Sequence, residues 1–241
     1  MRMTNPVMNK NGVVKPMKLW QSLLFFLLPG LYGLFAFYVL FPALVRWGIP
    51  EEFAYGTHMI SVFLLLLVAT IIGLRREGVS LSWPTVRERL RIRRMDATAW
   101  KWTLAFLLLS LLTGFLLNLL GQFFYEWIGF WPLPGADIPL TNIPFLIIVL
   151  VINVLAEELW WRGYILPRQE LEHGKFAFIV HGVLWSFFHM SKWWAIPFML
   201  PRQWMLPLVA QRTKNTTPGI LIHFISNGIS VLLSIIALLS Q

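Results

Sequence analysis

Two adjacent carboxylates, Glu157 and Glu158, follow an apolar run from Ile143 to Leu155 that is long enough to lie inside a membrane. An ionised side chain at that depth costs roughly 2.5–3.5 kcal/mol, so such residues usually face a bundle interior and mark a functional site. On a helix, Glu158 and Arg162 are four residues apart and can form an ion pair. Glu157 points about 100° away and shares a helix face with Asn153. The spacing predicts one glutamate held by arginine and one available for chemistry.

Three further polar side chains lie in apolar segments and are expected at the same depth. We expect the glutamate helix and the next one to form an antiparallel hairpin that turns at residues 173–174, a typical helix stop. Positions equally far from that turn lie level, which places His189 opposite the two carboxylates. His223 lies about 7 Å into the last helix, which matches the depth of Glu157. Asn227 is one turn beyond His223 on the same face.

This combination of a carboxylate, two imidazoles and a carboxamide suits hydrolysis. Glu157, alone or together with His189, can take a proton from water as a general base. His223 and Asn227 can donate hydrogen bonds to the oxyanion of a tetrahedral intermediate. Packing is the competing explanation for each residue taken singly, since Asn227 can join two helices through a hydrogen bond. Four depth-matched polar groups on three helices favour a functional site.

Zinc is an alternative, because Glu157, His189 and His223 could form a His₂Glu ligand set with Asn227 as a hydrogen-bond donor. The spacing does not favour this site, since the two histidines lie on different helices and lack the i,i+4 pairing of zincins. Zinc therefore stays the less favoured alternative at this site. The other histidines are expected to have interfacial or packing roles, namely His58, His173 and His181.

The composition indicates a membrane protein. Of 241 residues, 57% are hydrophobic and only 13% are charged, whereas a soluble domain carries roughly a quarter charged residues. The expected fold is all-α: a polytopic transmembrane helical bundle of about seven spans, with six to eight as the range. The absence of cysteine excludes disulfides, thiolate metal sites and thiol nucleophiles.

Seven apolar segments form the predicted spans, at 19–45, 54–74, 102–124, 143–162, 176–190, 194–210 and 218–239. The chain then divides into a cytoplasmic N-terminal arm (1–17), three spans with a basic cytoplasmic loop at 75–101 (18–142), and a catalytic core (143–241). The loop from 125 to 142 has no Lys or Arg and is expected outside. Lys192 and Arg202 also fall outside on this count, so the proline-interrupted segment 194–210 need not cross fully. We expect a multi-pass protein of the cell membrane with a cytoplasmic N-terminus.

The formal net charge of +9 follows from basic residues in short connections. Seven arginines lie between 75 and 94 and are flanked by Trp83, Trp100 and Trp102. Arginines flanked by tryptophans are typical of a segment that rests on anionic lipid headgroups. We expect that partner and no nucleic acid, and the sequence carries no signal for an oligomeric state.

The three motifs resemble those of the CPBP intramembrane proteases, the CAAX-protease and bacteriocin-processing family also called Abi. They are Glu157-Glu158-x-x-x-Arg162, an aromatic-x-x-x-His ending at His189, and His223-x-x-x-Asn227. The resemblance covers roughly residues 143–234. The second motif is usually Phe-x-x-x-His, whereas here Trp185 occupies its first position and is large enough to reshape the pocket.

The resemblance implies a glutamate-dependent endopeptidase that acts on a membrane-associated peptide or protein. Glu157 and His189 would activate water, and His223 and Asn227 would form the oxyanion site. The supporting residues would be Glu158, Arg162, Trp185 and Asn153. No cofactor is implied, although some members have been suspected of metal dependence.

Two functions from other classes are alternatives. A non-catalytic relative would bind a partner, for example in bacteriocin immunity or in regulation of a membrane protein. A transporter or proton channel would use the same carboxylates, but such proteins are typically built from repeats with discontinuous helices, and no repeat is visible in the sequence.

Overall fold

The computed structural model describes residues 8–9, 12–128 and 142–239. Within these ranges the chain is helical, as predicted, apart from a two-residue antiparallel ladder between β1 (Met8–Asn9) and β2 (Gly12–Val13). The predicted N-terminal arm is therefore described only in part. The predicted outer loop at 125–142 lies largely outside the described residues.

Ten α-helices lie in the described part of the chain. They are α1 (Leu19–Phe35), α2 (Phe41–Arg46), α3 (Glu51–Arg76), α4 (Trp83–Arg89), α5 (Ala97–Ile128), α6 (Ile143–Glu157), α7 (Leu166–His173), α8 (Ala177–Phe188), α9 (Ile196–Thr213) and α10 (Thr217–Leu239). Two π-helical segments continue helices without a break, with Ala36–Leu40 joining α1 to α2 and Glu158–Ile165 joining α6 to α7. Two 3₁₀ segments, Gly174–Phe176 and Met190–Ala195, precede α8 and α9.

Four helical stretches of the described chain are long and apolar enough to cross a membrane: Leu19–Arg46, Glu51–Arg76, Ala97–Phe123 and Ile143–Phe188. Many large apolar side chains on them are exposed, and lipid is the solvent that suits such surfaces. The fold is that of a helical membrane protein. The predicted segments near 194–210 and 218–239 coincide with α9 and α10, while the number of about seven spans stays a prediction.

The stretch Ile143–Phe188 turns back on itself at Gly174. A straight helix of its 46 residues would be about 69 Å long, more than twice the roughly 30 Å of a bilayer core. The stretch is not one straight helix but a hairpin. The α7 helix ends at His173, Gly174 has a φ of +57°, and α7 packs against α8. Glycine tolerates that left-handed conformation, so the turn lies where the sequence predicts it.

The helix through the two glutamates is not regular, which corrects the expectation of one α-helix from Ile143 to Arg162. The α-helix ends at Glu157, and the π-helical segment begins at Glu158. π-Helical turns hold an extra residue per turn and occur frequently at functional sites. The Gly163 carbonyl in this segment accepts a hydrogen bond of 3.2 Å from Arg89 Nη1, which lies outside the helix.

Aromatic side chains surround this π-helical segment and form the centre of the core. Phe26 of α1 stacks on Trp161 with ring centroids 4.2 Å apart, and Trp160 stacks on Tyr164 at 5.2 Å. Gly73 of α3 lies against the Tyr164 ring, where a Cβ would be 2.5 Å from a ring carbon. The segment is therefore packed on both sides by the first two predicted spans.

The basic segment between α3 and α5 is bound to the rest of the protein by ion pairs. Arg89 pairs with Glu77 at 2.6 Å, and Glu77 is also 3.3 Å from Arg168 of α7. Glu170 of α7 pairs with Arg91 at 2.9 Å. The arginines with exposed side chains in this region are Arg75, Arg76, Arg87, Arg93 and Arg94. The segment therefore has an inner surface docked on α7 and an outer surface of exposed guanidinium groups.

Candidate active site

Glu157, at the end of α6, has a hydrogen-bond donor on each carboxylate oxygen. Oε1 accepts from Asn153 Nδ2 at 2.9 Å, one turn earlier on the same helix face. Oε2 accepts from the indole Nε1 of Trp185 on α8, also at 2.9 Å. The side chain is buried, with 3% of the residue exposed. Both donors are neutral, so they orient the carboxylate without neutralising it.

Glu158 has a different environment, because it contacts two groups that can carry positive charge. Arg162 Nη1 lies 3.3 Å from Oε1, and both side chains are fully buried. His223 Nδ1 lies 2.8 Å from the same oxygen. An ionised carboxylate only accepts hydrogen bonds, so His223 Nδ1 carries the proton in this contact. The α10 helix approaches closely here, since a Cβ on Gly219 would lie 2.5 Å from Oε2 of Glu158.

The two asparagines connect Glu157 to α10. Asn227 Nδ2 donates to Asn153 Oδ1 at 3.0 Å, and Asn153 Nδ2 donates in turn to Glu157. Because a carboxylate only accepts, the direction of this chain fixes the orientation of both amides. Asn227 keeps a second N–H for another acceptor.

His189 follows the last residue of α8 and lies beside two aromatic rings. Its Nδ1 is 3.0 Å from the carbonyl oxygen of Trp185. The imidazole packs edge-on against Trp185 and Phe188, with centroids 5.5 Å and 5.1 Å apart. His189 lines the same cavity as Glu157.

One cavity of about 550 Å³ brings most of the predicted site residues together. Its wall includes Asn153, Glu157, Trp185, His189, His223 and Asn227. Glu158 and Arg162 are not part of the wall, and they lie behind it. The cationic Arg162 guanidinium is 3.6 Å from the centroid of the Trp185 ring, a distance typical of a cation–π contact. Trp185 thus separates Arg162 from the cavity.

The structure corrects the interpretation of His58 and adds a residue that the sequence analysis missed. His58 was expected at the interface but is buried and lines the cavity, because α3 turns this residue inward. Gln203 of α9 also lines the cavity and lies 3.1 Å from His189 through its Nε2. Only its polar character in a proline-interrupted apolar segment could have marked it. His181 is buried against Gln169 at 2.7 Å, in line with a packing role.

The alternative zinc ligands do not converge in the described residues, where no three His, Cys, Asp or Glu side chains are placed to hold a metal ion. Both oxygens of Glu157 already accept from neutral donors, and Nδ1 of His223 is bonded to Glu158. The arrangement does suit proton transfer, since a carboxylate and an imidazole face one cavity with further hydrogen-bond donors on its wall.

Residues 139–229 match a family model described as Type II CAAX prenyl endopeptidase Rce1-like. No curated protein and no solved structure gave a significant match to the chain. The matched range contains all three motifs, from Glu157 to Asn227. The match confirms the resemblance predicted from those motifs, over the part of the chain that carries them.

Proposed function

We propose that the protein is an intramembrane endopeptidase in which Glu157 is the general base. The observation that carries this proposal is the Glu157 carboxylate in a cavity wall, held by two neutral donors beside His189. The family match supports peptidase activity. The substrate on this proposal is a membrane-associated peptide or protein whose scissile bond enters the cavity from the cytoplasmic half of the membrane.

The proposed reaction begins with a water molecule between Glu157 and His189. Glu157 takes a proton from the water as the oxygen attacks the peptide carbonyl carbon, and the carbonyl oxygen becomes an oxyanion. The same carboxyl then gives its proton to the leaving amine as the C–N bond breaks. His189 would orient the water through Nε2, because Nδ1 faces the Trp185 carbonyl.

His223 and Asn227 would stabilise the oxyanion in this scheme. In this scheme His223 acts as the imidazolium, which donates Nδ1–H to Glu158 and Nε2–H to the oxyanion. Asn227 would use the N–H that it does not donate to Asn153. Loss of one such donor typically lowers kcat about 10²–10³-fold.

The test is cleavage of a library of membrane-tethered peptides, prenylated and unprenylated, by the purified protein in nanodiscs. Wild type is compared with Glu157→Gln, and Glu172→Gln is the matched control because Glu172 is an exposed carboxylate on α7. Cleavage by wild type and Glu172→Gln but not by Glu157→Gln is the expected result. Full activity of Glu157→Gln contradicts the mechanism. A chelator is added in parallel, and chelator-sensitive cleavage would favour the zinc alternative.

The partner-binding alternative makes a different prediction in cells. If the protein acts by binding alone, Glu157→Gln should rescue a deletion phenotype as well as wild type does. On the proposed mechanism it should not rescue, although the variant accumulates in the membrane.

We also propose that anionic headgroups bind the outer surface of the basic segment, at the cytoplasmic face together with the N-terminus. The exposed arginines at 75, 76, 87, 93 and 94 and the 63% exposed Trp83 support this location. Removing two of these charges, with Arg75→Gln and Arg76→Gln, should weaken binding of fluorescent anionic lipid but not of neutral lipid. Equal binding to both lipids would contradict the proposal.

A further inference from the structure

Gln203 joins α9 to the second motif through two polar contacts. Its side chain is nearly buried, with 2% of the residue exposed, and it lines the cavity. Its amide nitrogen is 3.1 Å from His189 Nδ1, and its amide oxygen contacts the Ser186 hydroxyl. Ser186 and His189 lie three residues apart on one helix face, so a single carboxamide spans both.

Close packing of α8 against α9 keeps Gln203 next to Ser186 and His189. Gly182 of α8 faces the Trp204 ring and lies next to the Gln203 backbone, where a Cβ would be 3.1 Å from the Gln203 carbonyl oxygen. Any larger residue at 182 would collide with Trp204. The α9 backbone at Gln203 therefore has little freedom to move the carboxamide away from His189.

The proton positions in this group follow from its two backbone acceptors. The Trp185 carbonyl lies 3.0 Å from His189 Nδ1, and a carbonyl only accepts, so Nδ1 carries the hydrogen. The Gly182 carbonyl lies 3.0 Å from Ser186 Oγ, so the hydroxyl donates to it. Ser186 then has lone pairs to offer to Gln203, and His189 Nδ1 has a hydrogen to offer.

Only one orientation of the carboxamide agrees with both backbone acceptors. With the amide oxygen toward His189 and the NH₂ toward Ser186, the single Nδ1 hydrogen is shared between the Trp185 carbonyl and the amide oxygen, and the NH₂ donates to the hydroxyl oxygen. In the opposite orientation Ser186 donates to the amide oxygen and the NH₂ donates to Nδ1, so both backbone carbonyls lose these hydrogens and His189 must be the Nε2–H tautomer. Oxygen and nitrogen of a glutamine amide are assigned from such networks, and rotation of the amide by about 180° exchanges them.

We infer that Gln203 is a positioning residue that holds His189 as the Nδ1–H tautomer, with the Nε2 lone pair available to the cavity. This inference rests on the proposed function, in which Nε2 accepts from the attacking water. Without Gln203, the Trp185 carbonyl is the one protein acceptor left for Nδ1–H. We then expect His189 to be a mixture of the Nδ1–H and Nε2–H tautomers. A histidine with Nε2–H would offer the water a donor and could no longer accept the hydrogen bond that orients it.

The test reads the tautomer directly and needs no substrate. ¹⁵N NMR of histidine-labelled full-length protein in nanodiscs distinguishes Nδ1–H from Nε2–H, and the His189→Gln spectrum assigns the signal among the 5 histidines. Spectra are recorded near pH 8, above the ordinary histidine pKa of about 6.5. The variants are Gln203→Met, which keeps length without hydrogen bonding, Ser186→Ala, which removes the anchor of the amide, and Gln203→Glu, which keeps an acceptor.

We expect wild type and Gln203→Glu to show the Nδ1–H tautomer, and Gln203→Met and Ser186→Ala to show a mixture. On cleaved peptides, kcat of Gln203→Met should fall about 10- to 100-fold with KM changed less than about twofold, as for a lost positioning contact. An Nε2–H signal in wild type overturns the inference, and so does Nδ1–H in every variant. Failure of wild type to cleave any peptide counts against the proposed function and leaves the tautomer result to stand by itself.

Discussion

The indole Nε1 of Trp185 donates a hydrogen bond of 2.9 Å to Oε2 of Glu157. The same ring lies 3.6 Å below the Arg162 guanidinium. One side chain thus touches the glutamate of the cavity wall and the arginine behind it. Phenylalanine, the usual residue at this place in the motif, is smaller and has no N–H to donate.

Replacing Trp185 with Phe should therefore impair catalysis without unfolding the protein. The variant keeps an aromatic ring under Arg162 but leaves Oε2 of Glu157 without its donor. We expect kcat to fall about tenfold, because a hydrogen bond to a charged group contributes about 1.5–3 kcal/mol and part of this is recovered by water. Steady-state cleavage kinetics measure the effect, with Trp47→Phe, at a 75% exposed position, as the control. Equal kcat for both variants would show that this bond has no catalytic role.

Removing Arg162 should destabilise the fold. Arg162→Met leaves the Glu158 carboxylate buried with only His223 as a partner, and breaking a buried ion pair typically costs about 3–5 kcal/mol. Thermal unfolding in nanodiscs should show a large fall in Tm, and adding Glu158→Gln should restore part of it by removing the buried charge. If the double variant has a lower Tm than Arg162→Met, the broken Glu158–Arg162 ion pair is not the cause of the fall in Tm.

Gly219→Ala should disturb Glu158 with little change elsewhere. The new Cβ would lie 2.5 Å from Oε2, so the carboxylate must move away from His223. We expect peptide cleavage to fall about tenfold or more, since misplacement by about 1 Å can reduce rates about 100-fold. Gly228→Ala on the same helix is the matched control, because its Cβ meets only Leu150 at an ordinary 3.9 Å. Similar losses in both variants would indicate a general effect on α10.

Arg89→Met should loosen the π-helical segment from the cytoplasmic side. It removes the donor to the Gly163 carbonyl and one partner of Glu77. A buried acceptor left unsatisfied costs about 1–3 kcal/mol, so Tm should fall, and hydrogen exchange at 158–165 should become faster. Arg87→Met, on the same helix, removes only an exposed hydrogen bond to the Ile92 carbonyl and should change both quantities much less. Unchanged exchange in Arg89→Met would contradict the proposed link.

The predictable features of this protein follow from helix spacing. Glu158 and Arg162 meet because they are one turn apart, and Glu157 meets Asn153 for the same reason. The hairpin turn at Gly174 has a local signal, since glycine tolerates its positive φ. Burial of apolar helices in a membrane follows from composition.

The features that were missed depend on contacts between distant segments. Nothing in the local sequence marks the change from α- to π-helix at Glu158, because its stabilising partner is Arg89, 74 residues earlier than Gly163. Likewise, Gln203 reaches His189 only because Gly182 lets α9 approach α8. His58 faces the cavity through the rotation of a long apolar helix whose weakly amphipathic sequence does not fix it.

The π-helical segment also bears on whether the matched range can fold by itself. That range begins at residue 139, yet the donor to the Gly163 carbonyl is Arg89 and the ring stacked on Trp161 belongs to Phe26. Both come from the part of the chain that the family model does not cover. The N-terminal half is thus a scaffold on which the motif-bearing half depends for its shape. A chimera that transplants only residues 139–239 would inherit the reactive side chains without the groups that hold their helix in register.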